Sequence, residues 1–194
     1  MTESASSPRL RATFAIYVGL VAATAVIGPH SIPAAWHYLA GLAGFTCVAL
    51  ACLGRIWCSL FIAGHKDEKL ITTGPYALCR HPLYALSIVG ALGLGLTSQS
   101  ILLCVAAVVL IAALLVYAAS CEEQFLADSF PDEFTAYVAA TPNKWWPRFV
   151  ARQVPERLEV KPAIFWKALV DAGAFFLLYM LVALAADYRI IPTF

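Results

Sequence analysis

The chain has 194 residues, 61% of them hydrophobic and only 13% charged, with a formal net charge of +1. Soluble domains are typically about half apolar, so this composition excludes an ordinary soluble domain and indicates a polytopic membrane protein. A near-neutral balance without any basic tract argues against nucleic acid as a partner.

The six cysteines, Cys47, Cys52, Cys58, Cys79, Cys104 and Cys121, form no C-x-x-C pair, and most lie in apolar runs. They read as small core residues, with neither a disulfide framework nor a zinc site expected. Residues 1–11 are polar and the apolar run behind them has no clear cleavage site, so it reads as a first span rather than a removable leader.

That first span is expected over about 12–27, followed by punctuation at Gly28-Pro29-His30-Ser31-Ile32-Pro33. A second runs over about 34–63. At 1.5 Å per residue it would be about 45 Å long, more than the ~30 Å hydrocarbon core, so it should tilt or protrude. Arg55 and Trp57 fit the emerging part, the arginine snorkelling and the tryptophan at the interface.

A polar loop from His65 leads into Thr73-Gly74-Pro75-Tyr76-Ala77-Leu78-Cys79-Arg80-His81-Pro82-Leu83-Tyr84. Pro82 suits the first turn of a helix, which puts Arg80 and His81 at a helix mouth where free N–H groups favour an anionic ligand group. Tyr84, three residues on, shares the face of His81. The third span, about 82–96, would be only about 22 Å long, and its Gly90, Gly93 and Gly95 predict close approach of neighbouring helices. Thr97-Ser98-Gln99-Ser100 reads as a tight turn into a fourth span over about 101–120, so spans three and four form a hairpin.

Residues 121–162 are more polar. Two short amphipathic helices broken at Pro131 are expected, with Phe125, Leu126, Phe130, Phe134, Tyr137 and Val138 on the apolar face. Thr141 to Arg148, containing Trp145 and Trp146, reads as an interfacial segment, and a fifth span follows over about 163–186. Lys and Arg gather before span one, in 64–81 and in 121–162, whereas the turns at 28–33 and 97–100 carry none. This distribution predicts a cytoplasmic N-terminus, both polar segments on that same side, and the C-terminus opposite. His81, Tyr84 and Glu122 can then share one site. Carboxylates at the end of an apolar helix need a use or a partner; Arg80 is the obvious one for Glu122 or Glu123. The alternative is that Glu122 serves a cationic ligand while aromatic rings stack on its planar part.

The run Gly74-x-Tyr76-x-x-x-Arg80-His81-Pro82-x-Tyr84, then Glu122-Glu123-x-x-Leu126-x-x-x-Phe130-x-x-Glu133-Phe134-x-x-Tyr137 and Pro142, resembles the isoprenylcysteine carboxyl methyltransferase family, itself similar to the membrane phospholipid N-methyltransferases. The resemblance covers roughly residues 68–147. It implies an all-α polytopic membrane protein with five transmembrane helices and a cytoplasmic helical cap over a cofactor pocket. The implied activity is methyl transfer from S-adenosylmethionine, leaving S-adenosylhomocysteine, to the carboxylate of a prenylated cysteine or a similar lipidic acceptor at the bilayer, without a metal. Cofactor contacts implied are Glu68, Lys69, Leu70, Ile71, Tyr76, His81, Pro82, Leu83, Tyr84 and Glu122. Arg80, Glu123, Tyr137, Trp145 and Trp146 are expected as substrate contacts or pocket walls. No general base is assigned, because an ionised carboxylate acceptor needs only to be held in line. Where that family typically carries a substrate arginine, this chain has Ala118. A phospholipid or small-amine acceptor, a scaffold or transporter, and a nicotinamide-dependent membrane reductase are the competing readings. His30, His37 and His65 are not at ligand spacing and read as interfacial residues. Asp171, an acid within the last span, is expected to be packed and partnered.

Overall fold

The computed structural model describes residues 3–27, 34–62, 70–148, 158 and 160–190. Glu68, Lys69 and the punctuation at 28–33 lie outside the described residues. Among the described residues seven helices follow in order: α1 (Glu3–Val26), α2 (Ala34–Ile62), α3 (Pro75–Leu78), α4 (Pro82–Thr97), α5 (Ile101–Ser129), α6 (Pro131–Ala140) and α7 (Pro162–Ile190). The described residues contain no strand. Trp36–Ile62, Ile101–Ser129 and Pro162–Tyr188 are long and apolar enough to cross a bilayer, while Arg11–Val26 and Pro82–Thr97 are shorter apolar helices. Leu42, Leu53, Val109, Leu177 and Leu184 face outward from these helices. Lipid is the solvent that tolerates them, since a helix satisfies its own backbone groups in hydrocarbon. The chain is an integral membrane protein.

The core sits around α4. Leu94 and Ala91 of α4 are fully buried, packed with Val48 of α2, Ile111 of α5 and Val182 of α7. Three glycines let α4 serve three neighbours at once. A Cβ on Gly93 would stand 2.7 Å from the Gly44 carbonyl oxygen of α2, one on Gly90 would strike the Phe175 ring of α7, and one on Gly95 would lie 2.6 Å from the Cys104 backbone of α5. Close backbone approach of this kind is what small residues provide in membrane helices, where no hydrophobic force drives helix association.

The turn after α4 closes with Ser98 N–H on the Leu94 carbonyl (3.1 Å) and the Ser98 hydroxyl on the Gly95 carbonyl (2.6 Å). His37, near the start of α2, meets Gln99 of this turn at 2.8 Å. The start of α2 and the α4–α5 turn therefore share one end of the bundle. The end of α2, α3, the start of α4, the end of α5 and α6 gather at the other.

Three local expectations change. Instead of opening a separate short helix at residue 121, α5 continues to Ser129. Its break comes at Phe130 (φ −139°, ψ 59°), because proline disfavours helical geometry in the residue before it. Arg55 does not emerge: its Nη1 donates to the Ser87 hydroxyl of α4 and its Cζ lies 5.1 Å from the centre of the Phe175 ring. A hydroxyl and an aromatic face inside the bundle hold it where an interface was expected. Asp171 is exposed and forms no ion pair among the described residues.

Candidate functional site

Gly74 starts the site's local geometry. Its φ of +60° is one that side-chain-bearing residues rarely adopt, and a Cβ there would enter the Phe61 ring. Pro75 then opens the single turn of α3, and Cys79 returns to extended backbone. The chain between α3 and α4 is pinned by residues 143–148 crossing it. Arg80 N–H donates to the Asn143 carbonyl, His81 N–H to the Lys144 carbonyl, and Arg148 N–H to the Leu78 carbonyl, each at 3.0 Å. From α6, the Tyr137 hydroxyl donates to the Tyr76 carbonyl at 2.7 Å. Residues 76–81 are thereby joined to α6 and to residues 143–148 by hydrogen bonds that do not depend on the site's charges.

His81 caps α4 immediately before Pro82, as the proline's position predicts. Its ring is 6% exposed. It stacks on Tyr84 with centroids 5.5 Å apart and planes 3° from parallel, and Trp145 leans over it at 5.6 Å. Glu123 is the hub of the charges. Its Oε1 accepts from Arg80 Nε (2.9 Å) and faces His81 Nε2 (3.0 Å), and its Oε2 accepts from Lys144 Nζ (2.8 Å). Arg80 Nη1 also donates to the Thr141 and Pro142 carbonyls, at 3.2 and 3.0 Å. Glu122 accepts from the Tyr84 hydroxyl at 2.8 Å. The two acids thus divide the work: Glu123 gathers cations, while Glu122 holds an aromatic ring.

Arg80 and Lys144 balance Glu122 and Glu123, so a charge on His81 would stand uncompensated. Burial accordingly holds its pKa below the ordinary value of 6.5, against the pull of the hydrogen bond to Glu123 and of the two carboxylates. Burial likewise lifts the Tyr76 phenol well above its usual range and the Cys79 thiol to about 11, which leaves that thiol unreactive.

Of the expected site residues, Arg80, His81, Tyr84, Glu122, Glu123 and Trp145 come together. Ile71, Tyr76 and Leu83 line the adjoining apolar patch with Cys58 and Phe61, and Leu70 is buried. Pro82 is buried beneath His81. Tyr137 acts as a strut for Tyr76. Trp146, expected beside Trp145, is instead 77% exposed, whereas Lys144 and Trp145 are half-buried against the cluster. Lys144 was not anticipated. Its one signal was a lysine inside an aromatic run, directly before the paired tryptophans.

Two buried hydroxyls at this end, Tyr76 Oη and Thr141 Oγ1, have no hydrogen-bond partner among the described residues. Flat aromatic faces beside unsatisfied hydroxyls fit a nucleoside, which offers a planar base for the first and hydrogen-bonding edges for the second. Among the described residues no group of three or more His, Cys, Asp or Glu is gathered to hold a metal ion.

Comparison with known proteins places this arrangement. The family model of the phospholipid methyltransferases matches residues 43–133, from mid-α2 into α6. The cobalt-zinc-cadmium resistance protein CzcN of Cupriavidus metallidurans is 41% identical over 131 residues, covering 66% of this chain and 59% of that protein. The nickel-cobalt-cadmium resistance protein NccN of Alcaligenes xylosoxydans xylosoxydans is 38% identical over 156 residues, covering 78% of this chain and 71% of that one. No solved structure matches. With the motifs of α4 and α5 inside the matched region and a relative at this identity over most of both chains, the protein belongs to the phospholipid methyltransferase family of integral membrane proteins.

Proposed function

We propose that the chain is an S-adenosylmethionine-dependent membrane methyltransferase that modifies a lipid-borne acceptor. The observation that carries this reading is the closed charge and ring cluster of Arg80, His81, Tyr84, Glu122, Glu123, Trp145 and Lys144, assembled at one end of a lipid-facing bundle. All five long helices cross the bilayer in this reading, and the N-terminus, residues 64–81 and residues 121–162 lie in the cytoplasm. The segment from α6 to Trp145 caps the pocket.

When bound, the cofactor supplies an electrophilic methyl group on a sulfonium centre. The chain's own residues then bind and orient. His81, Tyr84 and Trp145 offer faces for the adenine, Tyr76 and Thr141 offer hydroxyls, and Glu122 stands where a carboxylate can balance positive charge. Lys144 and Arg80 hold Glu123, which keeps the His81 ring fixed, while burial keeps that ring neutral. Catalysis is positioning: holding acceptor and methyl group in line and apart from water can supply about 7–11 kcal/mol of the barrier. With a carboxylate acceptor, such as a prenylated cysteine, no proton would have to move and the chain's residues would need only to hold the acceptor oxygen in line. With an amine, one proton must leave the nitrogen, and Glu122 is the carboxylate able to receive it. The matched family model favours the phospholipid or amphiphilic amine, as does Ala118, which offers no cation for a carboxylate.

Calorimetric titration of the purified protein with S-adenosylhomocysteine tests the pocket. His81→Ala and Glu122→Ala are each expected to weaken binding at least about tenfold, the scale of one charge-assisted hydrogen bond or one lost stacking face. Unchanged affinity in both variants overturns the assignment. Turnover with a prenylated cysteine against phosphatidylethanolamine, using a labelled methyl donor, separates the acceptor classes. The relatives' names suggest a physiological setting, resistance to metals, and we carry it over with the same proposal: deleting the gene should lower tolerance to cobalt or cadmium.

A further inference from the structure

One helical turn beyond Tyr84, on the bundle side of the cluster, lies a second polar centre that the cofactor reading does not use. Arg55 of α2 sits between helices, with Nη1 on the Ser87 hydroxyl and its guanidinium over the Phe175 ring. Its Nε is buried without a hydrogen-bond partner among the described residues. Tyr17 of α1, 5% exposed, packs edge-on against the same Phe175 ring at 5.8 Å, and its buried hydroxyl also has no partner among the described residues. Both lie against that one ring, the guanidinium carbon 5.1 Å and the phenol ring 5.8 Å from its centre. Two unsatisfied donors from different helices thus converge over one ring.

A guanidinium in an apolar bundle is costly without a counterion, and it stays charged. No ion pair serves Arg55 among the described residues. Asp171 acts on it electrostatically but is exposed and unbonded. Among the described residues its only hydrogen-bond acceptor is the Ser87 hydroxyl, whose own proton goes to the Leu83 carbonyl at 2.8 Å. What completes such a centre is an anionic oxygen taking hydrogen bonds from Arg55 Nε and Tyr17 Oη together.

We infer that Arg55, Tyr17 and Ser87 form a binding site for the anionic headgroup oxygen, carboxylate or phosphate, of a membrane amphiphile. The location argues for a lipid over a free anion. Ser87 follows Tyr84 by three residues on α4, so the centre lies about one turn, roughly 5 Å, deeper along the helix than the ring cluster. The outward side chains around it, including Leu53 and Trp57 of α2, are apolar. An amphiphile held here has its headgroup beneath the cluster and its tail among lipids. That this amphiphile is the methyl acceptor rests on the function proposed above; that it is an anionic lipid does not.

The test uses the full-length protein in bilayers containing phosphatidylcholine and trace chain-spin-labelled stearate, phosphatidylglycerol or phosphatidylcholine. The motionally restricted fraction in the electron spin resonance spectrum reads relative affinity. Wild type is expected to select stearate and phosphatidylglycerol over phosphatidylcholine about tenfold, the scale of one charge-assisted contact. Arg55→Gln, which can still reach Ser87, is expected to lose that selectivity, and Tyr17→Phe to reduce it. If Arg55→Gln does not fold, Ser87→Ala, which frees the guanidinium from its anchor, is expected to lower the selectivity instead. Equal selectivity in wild type and these variants, or none in wild type, overturns the site. Displacement of the labelled stearate by inorganic phosphate also overturns it, by showing that a small free anion suffices. Titration of the same wild-type preparation with S-adenosylhomocysteine keeps the two proposals apart. Lipid selectivity without cofactor binding removes methyl transfer and leaves this site, and the reverse outcome removes this site alone.

Discussion

At the scale of single residues, neighbouring acids with one charge have opposite roles. Glu123 accepts from Arg80 and Lys144 and faces His81, and its side chain is 20% exposed. Breaking a fully buried pair costs about 3–5 kcal/mol and a surface pair under about 1, so this partly buried hub belongs between them. Glu123→Gln is expected to cost about 2 kcal/mol in detergent unfolding. Glu122→Gln keeps an oxygen for the Tyr84 hydroxyl and is expected to cost about 0.5 kcal/mol or less. Equal losses would show that Glu123 is no hub. His81 adds a pH signature. Because burial depresses its pKa in the folded state, the unfolded chain takes up a proton near 6.5 that the folded chain resists. Its contribution is therefore fully present above about 6.5 and lost as pH falls below it. The melting temperature of wild type is expected to fall between pH 7 and about 5.5 in ligand-free protein, and that of His81→Gln to fall less over this window.

At the scale of elements, α4 is the short helix on which the bundle is built. Its glycines are the reason it can be central. Gly93→Leu would force side-chain atoms into the Gly44 backbone and is expected to cost about 2–3 kcal/mol, or to prevent folding. Gly173→Ala on α7, where a Cβ meets nothing within 4 Å, is expected to be neutral or slightly stabilising in the same melts. This packing was legible in the sequence, because three glycines in a short apolar run have few other uses. The hairpin and the start of α4 were legible for a similar reason: Pro82 fixes where a helix can begin. What could not be read was which carboxylate does what. Glu122 and Glu123 are adjacent, and a helix turns them about 100° apart, so only the placement of residues 141–148 decides which acid meets Lys144. The reach of α5 to Ser129 was hidden by its composition. The residues after Ser120 are polar, yet nothing before Phe130 breaks the helix. Arg55 was misplaced because hydropathy does not report which way a helix face points; the hydroxyl that receives it is 32 residues away.

At the scale of the whole molecule, helix length and charge bear on how many helices cross and which way. Three do so by length, whereas the apolar parts of α1 and α4, at 16 residues each, span about 24 Å of a ~30 Å core. A short helix is tolerable where protein surrounds it, and α4 is packed against α2, α5 and α7, so bilayer mismatch falls mainly on α1. The charges then choose the side. Arg80, Lys144 and Arg148 belong to the end holding the site, and the turn at Thr97 to Ser100 carries no base. If α4 and α5 both cross, Ile101, at the start of α5, and Ser129, at its end, face opposite compartments. In a variant with the six native cysteines replaced, Ile101→Cys is expected to react with an impermeant maleimide added to intact cells, and Ser129→Cys only after permeabilisation. Alkaline phosphatase fused after Ile190 is expected to be active, because α7 carries the chain away from the site. Labelling of both cysteines from one side would place the ring cluster and the turn in the same compartment. Methyl transfer from a cytoplasmic cofactor to a lipid would then need a different entrance.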